Sequence, residues 1–165
     1  MGIDPGLADT GVGLISGRGR QIAHYAYGSV HTEKGLPLEA RLDCIYKRLR
    51  DALHDAAPDL MVVEDVFSLR RYPKSGLLLG EVTGVILLAG YHQKVPTVQV
   101  AAREAKQILT GNGNASKAQL EMAVRHTLKC GAPIKPSHAA DALGLALIGL
   151  FRFEHLSEKN ICRAG

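Results

Sequence analysis

Four apolar residues in a row, Leu60 to Val63, run without interruption into two carboxylates, Glu64 and Asp65, in the stretch DLMVVED. A run this short and this uniformly apolar fits a strand covered on both faces, as found where helices pack on either side of a parallel sheet. The flanking segments agree. Ahead lies PLEARLDCIYKRLRDALHDAA, with Leu38, Leu42, Ile45, Leu49 and Leu53 at helical spacing and charges between them; Pro37 suits the first turn. Behind lies SGLLLGEVTGVILLAGYHQ, apolar nearly all round and rich in glycine. It predicts a buried helix whose glycines allow close approach of a neighbour, a second copy of the chain being one candidate.

The remaining segments complete an α/β pattern. Three strands open the chain: a short one ending at Asp4, then GVGLISG, then RQIAHYAYGSVHT, with turn residues between them. After the glycine-rich helix come a strand, TVQV, a short helix, AAREAKQIL, and a loop, TGNGNA. Ser116 and Gln119 then form a capping box for SKAQLEMAVRHTLK, and SHAADALGLALIGLFRFE follows Pro136 as a strongly apolar helix. Strands first, then alternating helices and strands, predict a five-stranded mixed sheet with helices on both faces. One domain is expected over residues 1–153, with a polar C-terminal tail at 154–165. The strand ending at Asp4 should pair with DLMVVED near the sheet's centre. Only Met1, Gly2 and Ile3 precede Asp4, fewer residues than a central strand ordinarily has, so the native chain is expected to start upstream of Met1.

Composition narrows the class further. The 165 residues include three cysteines, Cys44, Cys130 and Cys162, with no paired C-x-x-C spacing. That suits reduced thiols in a cytosol better than a disulfide framework or a structural zinc site. No apolar stretch approaches the roughly 20 residues of a membrane span and no signal-peptide pattern opens the chain, so a cytoplasmic protein is expected. The net charge of +4 permits a polyanionic partner without requiring one. Its distribution says more: Arg70, Arg71 and Lys74 gather with Phe67 and Tyr72, and Arg103, Lys106 and Lys117 follow. Cations interleaved with aromatic rings suit nucleic acid, because cations meet phosphates and rings stack on or wedge between bases. Each cluster alone reads better as a solvated surface loop.

The carboxylates carry the chemistry. In GIDPG, Asp4 stands at a strand end against a Pro-Gly turn, a combination that as a turn signal needs no further function. Glu64 ends an apolar strand, where burial is costly unless the charge is paired or bound to metal. Asp65 points to the opposite face. Asp141 lies in the first turns of the last helix with His138 three residues before it, so the two share a face. Each has a simple structural explanation; together they are three carboxylates and an imidazole from separate segments. Clustered hard oxygen ligands favour Mg²⁺ or Mn²⁺ over zinc. Two such ions about 4 Å apart suit phosphodiester hydrolysis, activating the attacking water and stabilising the leaving oxygen.

Four ordered stretches, GIDPGLADTGVGLI, VVEDVF, AREAKQILTGNGNASKAQ and PSHAADALGLAL, closely resemble RuvC-type Holliday junction resolvases, over residues 2 to about 152. The resemblance implies a ribonuclease H-like fold, a homodimer, and Mg²⁺-dependent paired incisions in opposed strands of a four-way DNA junction during recombination and repair. It also implies a branch-migration helicase partner and a short preferred cleavage sequence. It assigns the metals to Asp4, Glu64 and Asp141, the junction centre to Phe67, and the neighbourhood of the scissile phosphate to Lys106 and Lys117. Where the best-known members carry a fourth carboxylate this chain has His138, and histidine also occurs there in the family. Two other readings compete. GIDPG…TG also resembles the first phosphate loop of actin-like ATPases, but neither a second such loop nor a second domain follows. A junction-binding protein without catalysis is disfavoured by the three carboxylates.

Overall fold

The computed structural model describes residues 1–65 and 73–152, the side chains of 73–75 excepted. Ten elements follow in chain order: β1 (Gly2–Asp4), β2 (Asp9–Arg18), β3 (Gln21–His31), α1 (Leu38–Ala56), β4 (Met61–Asp65), α2 (Pro73–His92), β5 (Thr97–Ala101), α3 (Ala102–Thr110), α4 (Lys117–Leu128) and α5 (Ser137–Arg152). The five strands form one sheet in the order β3-β2-β1-β4-β5. The first three are antiparallel neighbours, whereas β1, β4 and β5 run parallel, so the sheet is mixed as expected. β1 is short and central, as expected, and the Met1 carbonyl still accepts from the Val62 N–H at 2.8 Å.

Alternation along the strands divides the core in two. Ile3, Met61 and Val63 point to the side where Ile45, Leu49 and Leu53 of α1 and Val82, Ile86 and Ala89 of α2 are buried. Val62 and Val100 point the other way, to Leu145 and Ile148 of α5, beside a second group built from α4 and α5. The continuous apolar run in β4 is thus explained by burial on both faces. Local chemistry sets the helix ends. Pro37 is the N-cap of α1 rather than part of its first turn. Ser116 and Gln119 form the expected capping box on α4.

The expectation for α2 divides: Val82, Ile86 and Ala89 are buried in this chain, and the opposite side is left open to a neighbour. Within one chain this helix is buried on one side only: Leu77 is 71% exposed and Tyr91 78%. A side chain on Gly80 or Gly84 would meet nothing within 4 Å, whereas one on Gly90 would strike the Met61 side chain. The uniform apolarity of α2 therefore reports burial inside this chain on one side only. Among the described residues no helix is long and apolar enough to cross a membrane.

Candidate metal and active site

Parallel pairing aligns Gly2 with Val62 and Ile3 with Val63; continued by one residue, it sets Asp4 beside Glu64 at the ends of β1 and β4. Both side chains leave the sheet on the α5 side, the side of Gly2 and Val62. Asp65 turns to the other face. The first turns of α5 pass over this edge, and His138 Nδ1 lies 2.6 Å from Asp4 Oδ2. Asp4, His138 and Asp141 each bring one ligand atom into a group whose members all lie within 4.8 Å of one another. From the start of α4, Lys117 Nζ donates to Asp141 Oδ2 at 3.3 Å.

The turn that follows Asp4 is held firmly. The Thr10 hydroxyl donates to the Gly6 carbonyl at 2.7 Å, and the Thr32 hydroxyl to that of Leu7. Arg41 of α1 donates in turn to the Thr32 hydroxyl at 2.9 Å. Asp-Pro-Gly is therefore both a built turn and the mount of a site carboxylate.

Electrostatics mark the cluster as short of positive charge. Burial pushes the Asp4 carboxyl up to about 6; the Asp141 charge adds to this, while a hydrogen bond from Glu64 and the charge of Lys117 oppose it. Glu64 is pushed up to about 8, first by burial, then by its hydrogen bond with Asp4 and by the charges of Asp4 and Asp141. In the cation-free protein protons thus offset repulsion that a bound cation removes. Among the described residues the group within 4.8 Å is two carboxylates and one imidazole, with Glu64 beside Asp4 but outside it, a donor set that fits a hard divalent cation.

The other expected residues divide. Among the described residues, Lys117 makes the contact to the carboxylates, and Lys106, half-buried on α3, does not. Arg103 is exposed and packs beside Gly113 of the α3–α4 loop. Phe67, Arg70, Arg71 and the side chain of Lys74 lie outside the described residues, as does the tail at 154–165. Two features were missed from sequence. Gln107 brackets the loop ahead of Lys117, donating to the Gly111 carbonyl at 2.8 Å and accepting from the Gly113 N–H at 2.9 Å. Gly11 lies directly beneath the His138 backbone. Only the alternation of glycines in GVG hinted at the second.

A sheet in this order, with Asp4 of β1 and Asp141 of α5 meeting beside Glu64 at the ends of two inner parallel strands, defines a nuclease of the ribonuclease H-like class. The family described as Crossover junction endodeoxyribonuclease RuvC matches residues 1–149. The RuvC protein of Desulforamulus reducens is 36% identical over 147 residues, covering 89% of this chain and 90% of that one. The structure of Thermus thermophilus RuvC in complex with Holliday junction substrate is similar at a TM-score of 0.84 and 30% identity, with 94% of each chain covered. The yeast mitochondrial Holliday junction resolvase shares the fold at a TM-score of 0.61 and 14% identity, covering 98% of this chain and 82% of that one. This chain belongs to the RuvC family of crossover junction endodeoxyribonucleases.

Proposed function

We propose that Asp4, Glu64 and Asp141, assisted by His138, hold two Mg²⁺ ions, with Mn²⁺ able to replace them, and that the chain uses them to cut opposed strands of a four-way DNA junction. The observation that carries this reading is the convergence of Asp4, His138 and Asp141 at the ends of two parallel strands, with Glu64 on the strand beside Asp4. When bound, divalent cations supply positive charge to the attacking and leaving oxygens of phosphodiester hydrolysis.

The chain's own residues do the rest. Asp4 is 6% exposed and its Oδ2 lies 2.6 Å from His138 Nδ1; a proton on Nδ1 would be donated to the carboxylate and leave Nε2 to orient a water. Lys117 holds Asp141 and offers a cation to a phosphate approaching that edge. Arg70, Arg71, Lys74, Arg103 and Lys106 contribute backbone contacts, and Phe67 a ring at the junction centre.

We also propose a homodimer assembled through α2. Leu77, Gly80, Gly84, Leu88 and Tyr91 are exposed at spacings of three and four, an apolar and small stripe of the kind that packs against a second helix. Two sites on one two-fold axis match the symmetry of a junction cut in opposed strands. A branch-migration helicase as partner is supported by family membership alone. A cytoplasmic setting is supported by the free Cys44 and Cys130.

The test is cleavage of a synthetic four-way junction in Mg²⁺. Paired nicks in opposed strands, lost in Asp4→Asn while junction binding persists, are expected. Binding without cutting by the unaltered protein would make it a junction-binding protein, and ATP binding would favour the phosphate-loop reading.

A further inference from the structure

Three glycines of the central strands lie under one helix. A Cβ at Gly2 would stand 2.1 Å from the Ala142 carbonyl oxygen, one at Gly13 2.6 Å from the Leu143 nitrogen, and one at Gly11 2.0 Å from the His138 carbonyl oxygen. The backbone of α5 therefore rests directly on β1 and β2, with no side chain between. Gly11 differs from the other two in what lies above it. It is the cross-strand partner of Asp4, and the residue it touches, His138, is the one that bonds Asp4.

We infer that Gly11 is a positioning residue: its missing side chain sets the height of the first turn of α5 above β1, and so brings His138 and Asp141 within reach of Asp4. The inference rests on the reading of this cluster as the cation site. A carbon and a carbonyl oxygen settle at about 3.3 Å or more, so one added methyl requires the first turn to move by about 1.3 Å. Metal ligands tolerate errors of about 0.2 Å, and a misplacement of about 1 Å costs a reaction on the order of a hundredfold. No ligand has to be removed for the site to fail.

Gly11→Ala is compared with Leu147→Ala, which removes a fully buried side chain further along the same helix and lowers stability without crowding the first turn. Both are assayed at temperatures where they are folded. Gly11→Ala is expected to weaken Mn²⁺ binding at least about tenfold and to slow cleavage on the order of a hundredfold, with junction affinity within about threefold. Leu147→Ala should bind Mn²⁺ and cut within about threefold of the unaltered protein. Nitrogen NMR of the His138 imidazole in cation-free protein should show its bond to Asp4 lost in Gly11→Ala and kept in Leu147→Ala. If Gly11→Ala does not fold, Gly13→Ala, whose added carbon meets Leu143 at 2.6 Å and so lifts the same helix by less, should weaken Mn²⁺ binding and the His138–Asp4 bond to a smaller degree, and unaltered readouts there overturn the inference. Unaltered Mn²⁺ affinity and an intact His138–Asp4 bond in folded Gly11→Ala overturn the inference, as does an equal loss in Leu147→Ala. If the unaltered protein itself neither binds Mn²⁺ nor cuts, the cation-site reading fails, and the imidazole signal still decides whether Gly11 sets the height of α5.

Discussion

Without a cation this protein should become less stable as pH rises, and most of that loss should vanish in Asp4→Asn. Asp4 is held up to about 6 and Glu64 up to about 8, first by burial and then by charges around them. Unfolded carboxyls titrate near 4, so between about pH 4 and pH 8 the folded protein binds more protons than the unfolded one. Stability is therefore full below about pH 4, falls as pH rises, and levels off above the folded pKa values. At about 1.4 kcal/mol per pKa unit, raising one carboxyl to about 6 and the other to about 8 makes the loss on the order of 8 kcal/mol, with burial of both groups its largest cause. For a chain of this size that corresponds to roughly 20 °C in Tm.

The assay is thermal unfolding in EDTA at half-unit steps from pH 5 to pH 8, with Asp4→Asn measured beside it. Subtracting the two curves removes contributions common to both proteins. Asp4→Asn should lose less than half as much stability as the unaltered protein and be the more stable of the two at pH 8. Added Mn²⁺ should restore the unaltered protein most at high pH, where the ligands are deprotonated, and Asp4→Asn much less. Parallel curves for the two proteins in EDTA would refute the argument, because Asp4 and Glu64 would then not be titrating against each other.

Lys117→Ala frees Asp141 and removes one cation from the site's edge; cleavage should fall about 10- to 100-fold, with the salt dependence of junction binding reduced by about one phosphate contact in a salt titration. Leu88→Glu changes a side chain that is 47% exposed, so Tm should move by only a few degrees while sedimentation shows monomers and paired incision is lost. His138→Ala should bind junctions but cut poorly, and His138→Asp should stay active with its preference shifted from Mn²⁺ towards Mg²⁺, read as the ratio of rates in the two metals.

What could be read from sequence follows from what each signal reports. The uninterrupted apolar run Leu60 to Val63 and the helical spacing of Ile45, Leu49 and Leu53 reflect burial, and burial follows pattern, so a mixed five-stranded sheet covered by helices on both faces was legible, as was the pairing of its first strand with β4. Glu64 stood out as a candidate because a carboxylate ending an apolar run needs an explanation, and the resemblance to the family joined Asp4 and Asp141 to it. For α2 apolarity states that a face is to be covered but not by what: one side packs within this chain and the other, with Leu77 and Leu88, stays exposed. Gln107 was illegible for another reason. A glutamine bridging the Gly111 carbonyl and the Gly113 N–H has no compositional signature, because its effect lies in distances that only the folded loop defines.

The site's stability and its chemistry pull in opposite directions, and the architecture explains how both are met. Asp4 and Glu64 leave adjacent parallel strands, so the sheet itself holds their carboxyls together. A lone pair of this kind would relax by turning towards water. Here α5 closes over them, and Asp4 has no room to do so: it is buried, His138 bonds its Oδ2, and the turn after it is held by Thr10 and Thr32. The free energy that keeps α5 in place comes from elsewhere on the same helix, where Leu143, Leu147 and Ile148 are fully buried against the sheet and α4. Apolar burial at one end of α5 thus opposes charge repulsion at the other. Weakening the apolar end should lower the stability of the whole protein, whereas neutralising Asp4 should raise stability in the cation-free state and remove the activity that the repulsion serves.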